Sequence, residues 1–208
     1  KFGGELSGGE KPVVYLRGNH ETRGAYASSL TGALGMEKLY YEVKMGGYRF
    51  IVLDSGEDKN DDHPECGSLA DYEAYREEMA DWLDTLEPDG SKTIVLCHSP
   101  SVALVEGGYV ERGEDELRDR IFAKLSELGA SVLISGHLHE CYFNPNDGSG
   151  EMMGELYLNP DGNTYEESPT TNDYGIPVYV DGGWVHYAGV FVVSRVTLSS
   201  EGIRLFAV

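Results

Sequence analysis

The stretch "VLISGHLH" (132–139) joins an unbroken apolar run directly to two histidines. A continuous apolar run of this kind indicates a strand covered on both faces of its sheet, as in α/β proteins. Comparable runs stand at "YRFIVL" (48–53) and "TIVLC" (93–97). The three runs predict a buried sheet, and the polar residues that follow them are expected at one of its edges.

Other segments extend this sheet. Further strand-like runs are "PVVYL" (12–16), "LYYEVKM" (39–45), "IPVYV" (176–180) and "VFVVSRVTL" (190–198). Gly46 and Gly47 separate two of the predicted strands, and a Gly-Gly pair in that position is typical of a two-residue hairpin. The polar stretch from Asn144 to Gly175 predicts a long surface excursion.

Two segments have helical periodicity. In residues 68–87 apolar side chains recur on one face, and Ser68 with Asp71 can cap the start. In residues 113–129 the same pattern is followed by Gly129, a typical helix stop. Both amphipathic helices should lie on the sheet. The order of elements predicts one domain over residues 1–208, an α/β mixed-sheet sandwich flanked by helices.

The composition argues against several classes of function. The formal charge is −20, from 36 acidic and 16 basic residues, so the surface should repel a nucleic acid polymer. No apolar run approaches the roughly 18 residues that a membrane span needs. The three cysteines Cys66, Cys97 and Cys141 form no CxxC pair, which argues against a cysteine-type structural zinc site.

The histidines carry the strongest chemical signal. His20 follows "VVYL" in "VVYLRGNH", His98 ends "IVLCH", and His137 and His139 close "VLISGHLH". Loops at the carboxyl ends of sheet strands are where α/β proteins assemble their sites. Imidazole and amide oxygen are good ligands for divalent metals, so these loops predict a metal site. The other two histidines, His63 and His186, are interpreted as peripheral, and "DDH" (61–63) as a coincidence.

The ordered set "RGNHE" (17–21), "CH" (97–98) and "GHLH" (136–139) resembles the calcineurin-like metallophosphoesterases, whose later motifs are GNH[DE], a strand-end His and GHxH. Bacterial purple-acid-phosphatase-like members look nearest. The resemblance implies that Asn19, His98 and His137 bind one metal and that His139 binds its neighbour. It implies two divalent or trivalent ions (Mn, Fe or Zn) in the intact protein, a hydroxide bridging them, and hydrolysis of a phosphate monoester or diester.

The resemblance also gives roles to the residues around the metals. His20 would be the catalytic histidine, which protonates or stabilises the leaving oxygen. Arg17 would bind the phosphate of the substrate, although a surface salt bridge explains it equally well. Glu21 is expected to orient its neighbours, and Arg23 is either structural or substrate-facing.

The sequence departs from the family pattern at its start. The motifs DxH and GDxxD, which supply the acidic ligands, have no counterpart before Gly18. We therefore expect the carboxyl-terminal part of a phosphoesterase domain, with amino-terminal strands missing and metal occupancy partial or absent. The missing segment is then a possible partner, in cis or in trans. The alternative function is a non-catalytic binding or scaffold module with the same fold. The resemblance weakly favours an exported protein over a cytoplasmic one.

Overall fold

The computed structural model describes residues 8–59, 61, 63–64, 71–100, 104–105, 108–109, 116–139, 141–149, 153–154, 170–185, 190–191, 194–199 and 201–207. Two 3₁₀ turns, Asn19–Thr22 and Ala27–Ser29, precede three α-helices. The helices are α1 (Leu30–Leu34), α2 (Tyr72–Asp84) and α3 (Glu116–Glu127).

Thirteen strands are described in this part of the chain. They are β1 (Tyr41–Met45), β2 (Tyr48–Leu53), β3 (Lys92–Cys97), β4 (Leu104–Val105), β5 (Gly108–Tyr109), β6 (Ala130–Ser135), β7 (Tyr142–Asn144), β8 (Met153–Gly154), β9 (Val178–Val180), β10 (Trp184–Val185), β11 (Val190–Phe191), β12 (Ser194–Ser199) and β13 (Gly202–Ala207). Seven of them form a mixed sheet in the order β1-β2-β3-β6-β9-β7-β8. Strands β2, β3, β6 and β9 run parallel, and antiparallel pairs lie on both sides of them.

The predicted hairpin and helices are confirmed, and Ser68, the other predicted cap residue, lies outside the described residues. Gly46 and Gly47 both have positive φ, 61° and 82°, which is the requirement of a type I′ turn, and the register pairs Met45 with Tyr48. Asp71 caps α2 by accepting from the backbone of Ala74 at 3.2 Å. The apolar faces of α2 and α3 lie on one face of the sheet and form with it the main core.

The second face of the sheet is packed by a β-hairpin. Leu198 of β12 and Ile203 of β13 contact a smaller cluster formed by Tyr48, Ile94, Val132 and Tyr179. The Tyr48 hydroxyl also donates to the backbone oxygen of Ser199 at 2.7 Å. The mixed sheet with helices on one face and a second β layer on the other confirms the predicted α/β architecture.

Two strand predictions are wrong. Residues 12–16 form no strand in the described chain. Instead the Tyr15 N–H donates to the Tyr41 hydroxyl at 3.0 Å, and that hydroxyl donates to the Tyr15 carbonyl at 2.7 Å. The single strand predicted over 190–198 is divided between β11 and β12, which pair in different sheets. Most of the excursion predicted over 144–175 lies outside the described residues.

Candidate active site

The site lies where parallel strands β2, β3 and β6 end. Because these strands share one direction, their carboxyl ends meet at the same edge of the sheet. The residues that follow them are 54–58, 98–99 and 136–139. The 3₁₀ turn Asn19–Thr22 approaches the same edge, since Asn19 contacts His98. Three motifs that are distant in sequence therefore meet at one place.

Asn19, His98 and His137 form the centre of this site. The Nε2 atom of His98 lies 3.1 Å from the Oδ1 atom of Asn19, and the rings of His98 and His137 have centroids 5.2 Å apart in an edge-to-face arrangement. Asn19 is 5% exposed, so its amide is held inside the protein and directed at the imidazole. This geometry brings together the three residues that the resemblance assigns to one metal.

The backbone of "GHLH" is unusual in a way that fits a functional loop. His137 and His139 have φ of 72° and 59°, in the left-handed region that side chains other than glycine rarely adopt. Such conformations persist only where surrounding contacts hold them, and they cluster at functional sites. Here the Gly136 N–H donates to the carbonyl of His98 at 2.9 Å, which ties the two histidine loops together.

Gly18 permits the close approach of the GNHE turn. A Cβ atom at this position would lie 2.8 Å from the Oε2 atom of Glu21 and 3.2 Å from the Cε1 atom of His98. The Glu21 carboxylate accepts from the Gly18 N–H at 3.0 Å, which fits the expectation that Glu21 orients its neighbours. Packing against Glu21 and His98 therefore favours glycine here, and its φ of −93° does not.

His98 and His137 favour the uncharged state. Burial and the nearby His137, His139 and His20 lower the pKa of His98 to about 4. Burial also lowers the pKa of His137, while Asp58 acts in the opposite direction. Neutral imidazole is the form that binds metal. His20, His137 and His139 all act on His98, so they lie near it, with His20 and His139 on the exposed side.

Arg17 is directed into the protein. Its Nε lies 3.1 Å from Asp54 Oδ1, and its Nη2 lies 2.7 Å from Asp54 Oδ2. The guanidinium also lies over the rings of Tyr72 and Tyr75, at 5.7 and 5.3 Å from their centroids. Burial alone would lower the pKa of Arg17, but the Asp54 carboxylate outweighs it and the pKa is raised. The ion pair is thus buried and not on the surface, and phosphate binding by Arg17 stays a prediction.

Sequence reasoning missed the carboxylates that follow β2. Asp54, Glu57 and Asp58 lie in "YRFIVLDSGED", immediately after a continuous apolar strand. A polar residue directly after a buried strand is the same signal that identified His98 and His137. Asp54 and Glu57 are 1% and 2% exposed. Arg23 contacts both Glu57 and Asp58, which supports the structural interpretation of this arginine.

The donor set fits a metal in type but is incomplete. Amide oxygen and imidazole nitrogen suit Mn, Fe and Zn. In the part of the chain that the structure describes, however, no group of three or more His, Cys, Asp or Glu side chains is placed to hold an ion. Asn19, His98 and His137 supply two imidazoles and one amide. Asp61 of "DDH" accepts from backbone N–H groups at the start of α2, and His186 lies outside the described residues.

The calcineurin-like phosphoesterase family model matches residues 2–141. The chain belongs to this family. It is a family of phosphate-ester hydrolases whose members usually bind divalent metals, and the matched range includes Asn19, His20, His98, His137 and His139.

No curated protein matches the chain. Among solved structures, the chain is similar to the purple acid phosphatase PPD1 from seeds of yellow lupin (Lupinus luteus), with 15% sequence identity and a TM-score of 0.36. The match covers 82% of this chain and 26% of the lupin chain. In the described residues, no helix is long and apolar enough to cross a membrane.

Proposed function

We propose that this chain carries the histidine half of the active site of a metal-dependent phosphoesterase. The observation that carries the proposal is the convergence of Asn19, His98 and His137, with a 3.1 Å contact between the first two. These three side chains would hold one ion, and His139 would contribute to a second. When bound, such ions activate the attacking water and offset charge that develops on the phosphate.

His20 is the residue proposed to act on the leaving group. It lies within the 3₁₀ turn beside Asn19 and is exposed at the site edge, so a substrate can reach its ring. An imidazole at this place can donate a proton to the leaving oxygen or hydrogen-bond it. Family membership supports a phosphate ester as the substrate class.

The test is turnover by the full-length protein. We expect hydrolysis of an aryl phosphate or its diester after loading with Mn, Fe or Zn, and a fall in kcat of about 10²- to 10⁴-fold in His20→Ala. His63→Ala is the matched control, because His63 is one of the two histidines interpreted as peripheral. Absence of turnover with every metal, or full activity in His20→Ala, would contradict the proposal.

Metal content separates this function from the alternative of a non-catalytic module. Equilibrium dialysis of the full-length protein followed by elemental analysis should find two ions per chain. If the protein folds but binds neither ion tightly, the result would favour the alternative function, a non-catalytic binding or scaffold module.

A further inference from the structure

Glu57 links the loop after β2 to the GNHE turn. Its side chain is 1% exposed, and its Oε2 and Oε1 atoms accept from Nε and Nη2 of Arg23, both at 2.7 Å. Oε2 also lies 3.0 Å from the Thr22 hydroxyl, and Oε1 accepts from the Asp58 N–H at 2.9 Å. A two-pronged arginine–carboxylate pair fixes orientation as well as distance. Glu57 therefore holds the end of the turn from inside the protein.

The Thr22 hydroxyl extends this link toward Asn19. It has one proton to donate and lies within hydrogen-bond distance of both Glu57 and the backbone oxygen of Asn19. Asn19 begins the same 3₁₀ turn, and its amide contacts His98. A displacement of Glu57 would thus be passed to the proposed metal-binding amide through a short, mostly buried path.

Asp58 connects the same arginine to the GHLH loop. Its Oδ1 lies 3.1 Å from Nη2 of Arg23, and its Oδ2 lies 3.6 Å from Nε2 of His137. The carboxylate is 24% exposed and the imidazole 15%. Arg23 therefore contacts two adjacent carboxylates, of which the first holds the GNHE turn and the second faces His137.

We propose that Arg23, Glu57 and Asp58 form a clamp that sets the position of the GNHE turn relative to His137. They are positioning residues: the resemblance gives no role to Glu57 or Asp58, and the contacts of Arg23 to both carboxylates support the structural one of its two interpretations. Burial would raise the pKa of Glu57, but hydrogen bonds from Arg23 and its neighbours outweigh this and lower it, so Glu57 is ionised. The part of the proposal that concerns metal rests on the proposed function.

The first test needs no metal. Amide hydrogen exchange is measured by mass spectrometry on metal-free wild type and on Glu57→Gln, Asp58→Asn and Arg23→Lys. The lysine keeps the charge but cannot form the two-pronged pair, so it should not substitute for Arg23. We expect faster exchange in residues 17–23 for all three variants, and in 136–139 for Asp58→Asn, with β3 and β6 unchanged.

The control for charge is Asp84→Asn. Asp84 is an exposed carboxylate that contacts Arg120 on the helical side, so this variant removes the same charge away from the site. Unchanged exchange in residues 17–23 would overturn the clamp. An increase spread evenly over the whole sheet would also overturn it, since that indicates a general loss of stability.

The second test measures Mn²⁺ affinity by the electron paramagnetic resonance signal of free Mn²⁺. Loss of a residue that orients metal ligands weakens binding by about 10- to 100-fold, and we expect this for Glu57→Gln and Asp58→Asn but not for Asp84→Asn. Wild-type affinity in both clamp variants would overturn the proposal. If the wild type itself binds no Mn²⁺, a manganese site is ruled out, turnover with Fe or Zn decides the proposed function, and hydrogen exchange still decides the clamp. Asp58→Asn serves where Glu57→Gln does not fold, because Asp58 is the more exposed carboxylate.

Discussion

Replacing Asp54 by asparagine should be among the most destabilising single changes in this chain. The Asp54 side chain is 0% exposed, and it accepts from Arg17 Nε at 3.1 Å, from the Tyr75 hydroxyl at 2.8 Å and from the Gly56 N–H at 3.1 Å. Asparagine has nearly the same shape, so the variant removes charge without leaving a cavity. What remains is the buried Arg17 guanidinium with no counter-charge from Asp54.

The magnitude follows from the cost of breaking a buried ion pair. Removal of one partner typically costs about 3–5 kcal/mol, because the other charge stays desolvated. The asparagine oxygen can still accept one hydrogen bond, so we expect the lower end, about 3 kcal/mol. For a urea m-value of about 3 kcal/mol/M, this lowers the midpoint of unfolding by about 1 M. Far-UV circular dichroism during urea titration measures it.

Two further variants make the reasoning refutable. Arg17→Met combined with Asp54→Asn removes both charges, and this double variant should be more stable than Asp54→Asn alone. The control Asp84→Asn breaks an exposed pair and should cost less than about 1 kcal/mol. A loss of stability in Asp54→Asn no larger than in that control would contradict the importance of the buried ion pair. So would a double variant that is no more stable than Asp54→Asn.

Three shorter predictions concern a glycine, a helix cap and pH. Gly56→Ala places a Cβ 2.4 Å from Cδ1 of Tyr72, whereas Gly90 has a similar positive φ but open space around it. Gly56→Ala should therefore lower the free energy of unfolding by about 1–3 kcal/mol more than Gly90→Ala does. Equal urea midpoints for the two variants would contradict this. Asp61→Ala removes the side-chain acceptors of two backbone N–H groups at the start of α2. It should lower the free energy of unfolding by about 1 kcal/mol, and an unchanged Tm would refute this prediction. Burial lowers the pKa of His98 from 6.5 to about 4, so the unfolded state takes up the proton first. The free energy of unfolding of the metal-free protein should therefore fall by about 3 kcal/mol as the pH falls from about 6.5 to about 4. The fall should be smaller in His98→Asn, and an identical pH profile of stability in this variant and the wild type would contradict the assignment to His98.

The elements that were predicted correctly are those whose signal is local. Strands β2, β3 and β6 each contain a continuous apolar run, and the Gly46-Gly47 turn depends on the φ of two adjacent residues. Residues 12–16 have the same strand-forming composition but are not a strand. Strand propensity describes how well a residue fits a half-buried pleated surface, so it does not by itself decide whether a segment joins the sheet.

The polar network was missed because its pairs are distant in sequence. Arg17 and Asp54 are 37 residues apart, and Arg23 and Glu57 are 34 apart. No periodicity connects such residues. Arg76 is a different case, because it lies one helical turn after Tyr72 on the predicted buried face of α2. It is 2% exposed, and it donates to the carbonyls of Ser55 and Glu57 at 3.2 and 3.3 Å, so its burial could have been inferred from its position.

The two arginines of "RGNHETR" show how a strongly acidic chain can present histidines at the edge of its sheet. Arg17 before the turn binds Asp54, and Arg23 after it binds Glu57, so the two buried carboxylates after β2 are paired with charges on either side of the turn. The turn is anchored at both ends, which leaves His20 between the anchors at the surface. Because a desolvated arginine–carboxylate pair fixes orientation, we expect changes at Arg17 or Arg23 to act on catalysis first through the position of Asn19 and His20. A substitution at Arg17 that raised KM for phosphate esters without altering exchange in residues 17–23 would instead support direct contact between Arg17 and phosphate.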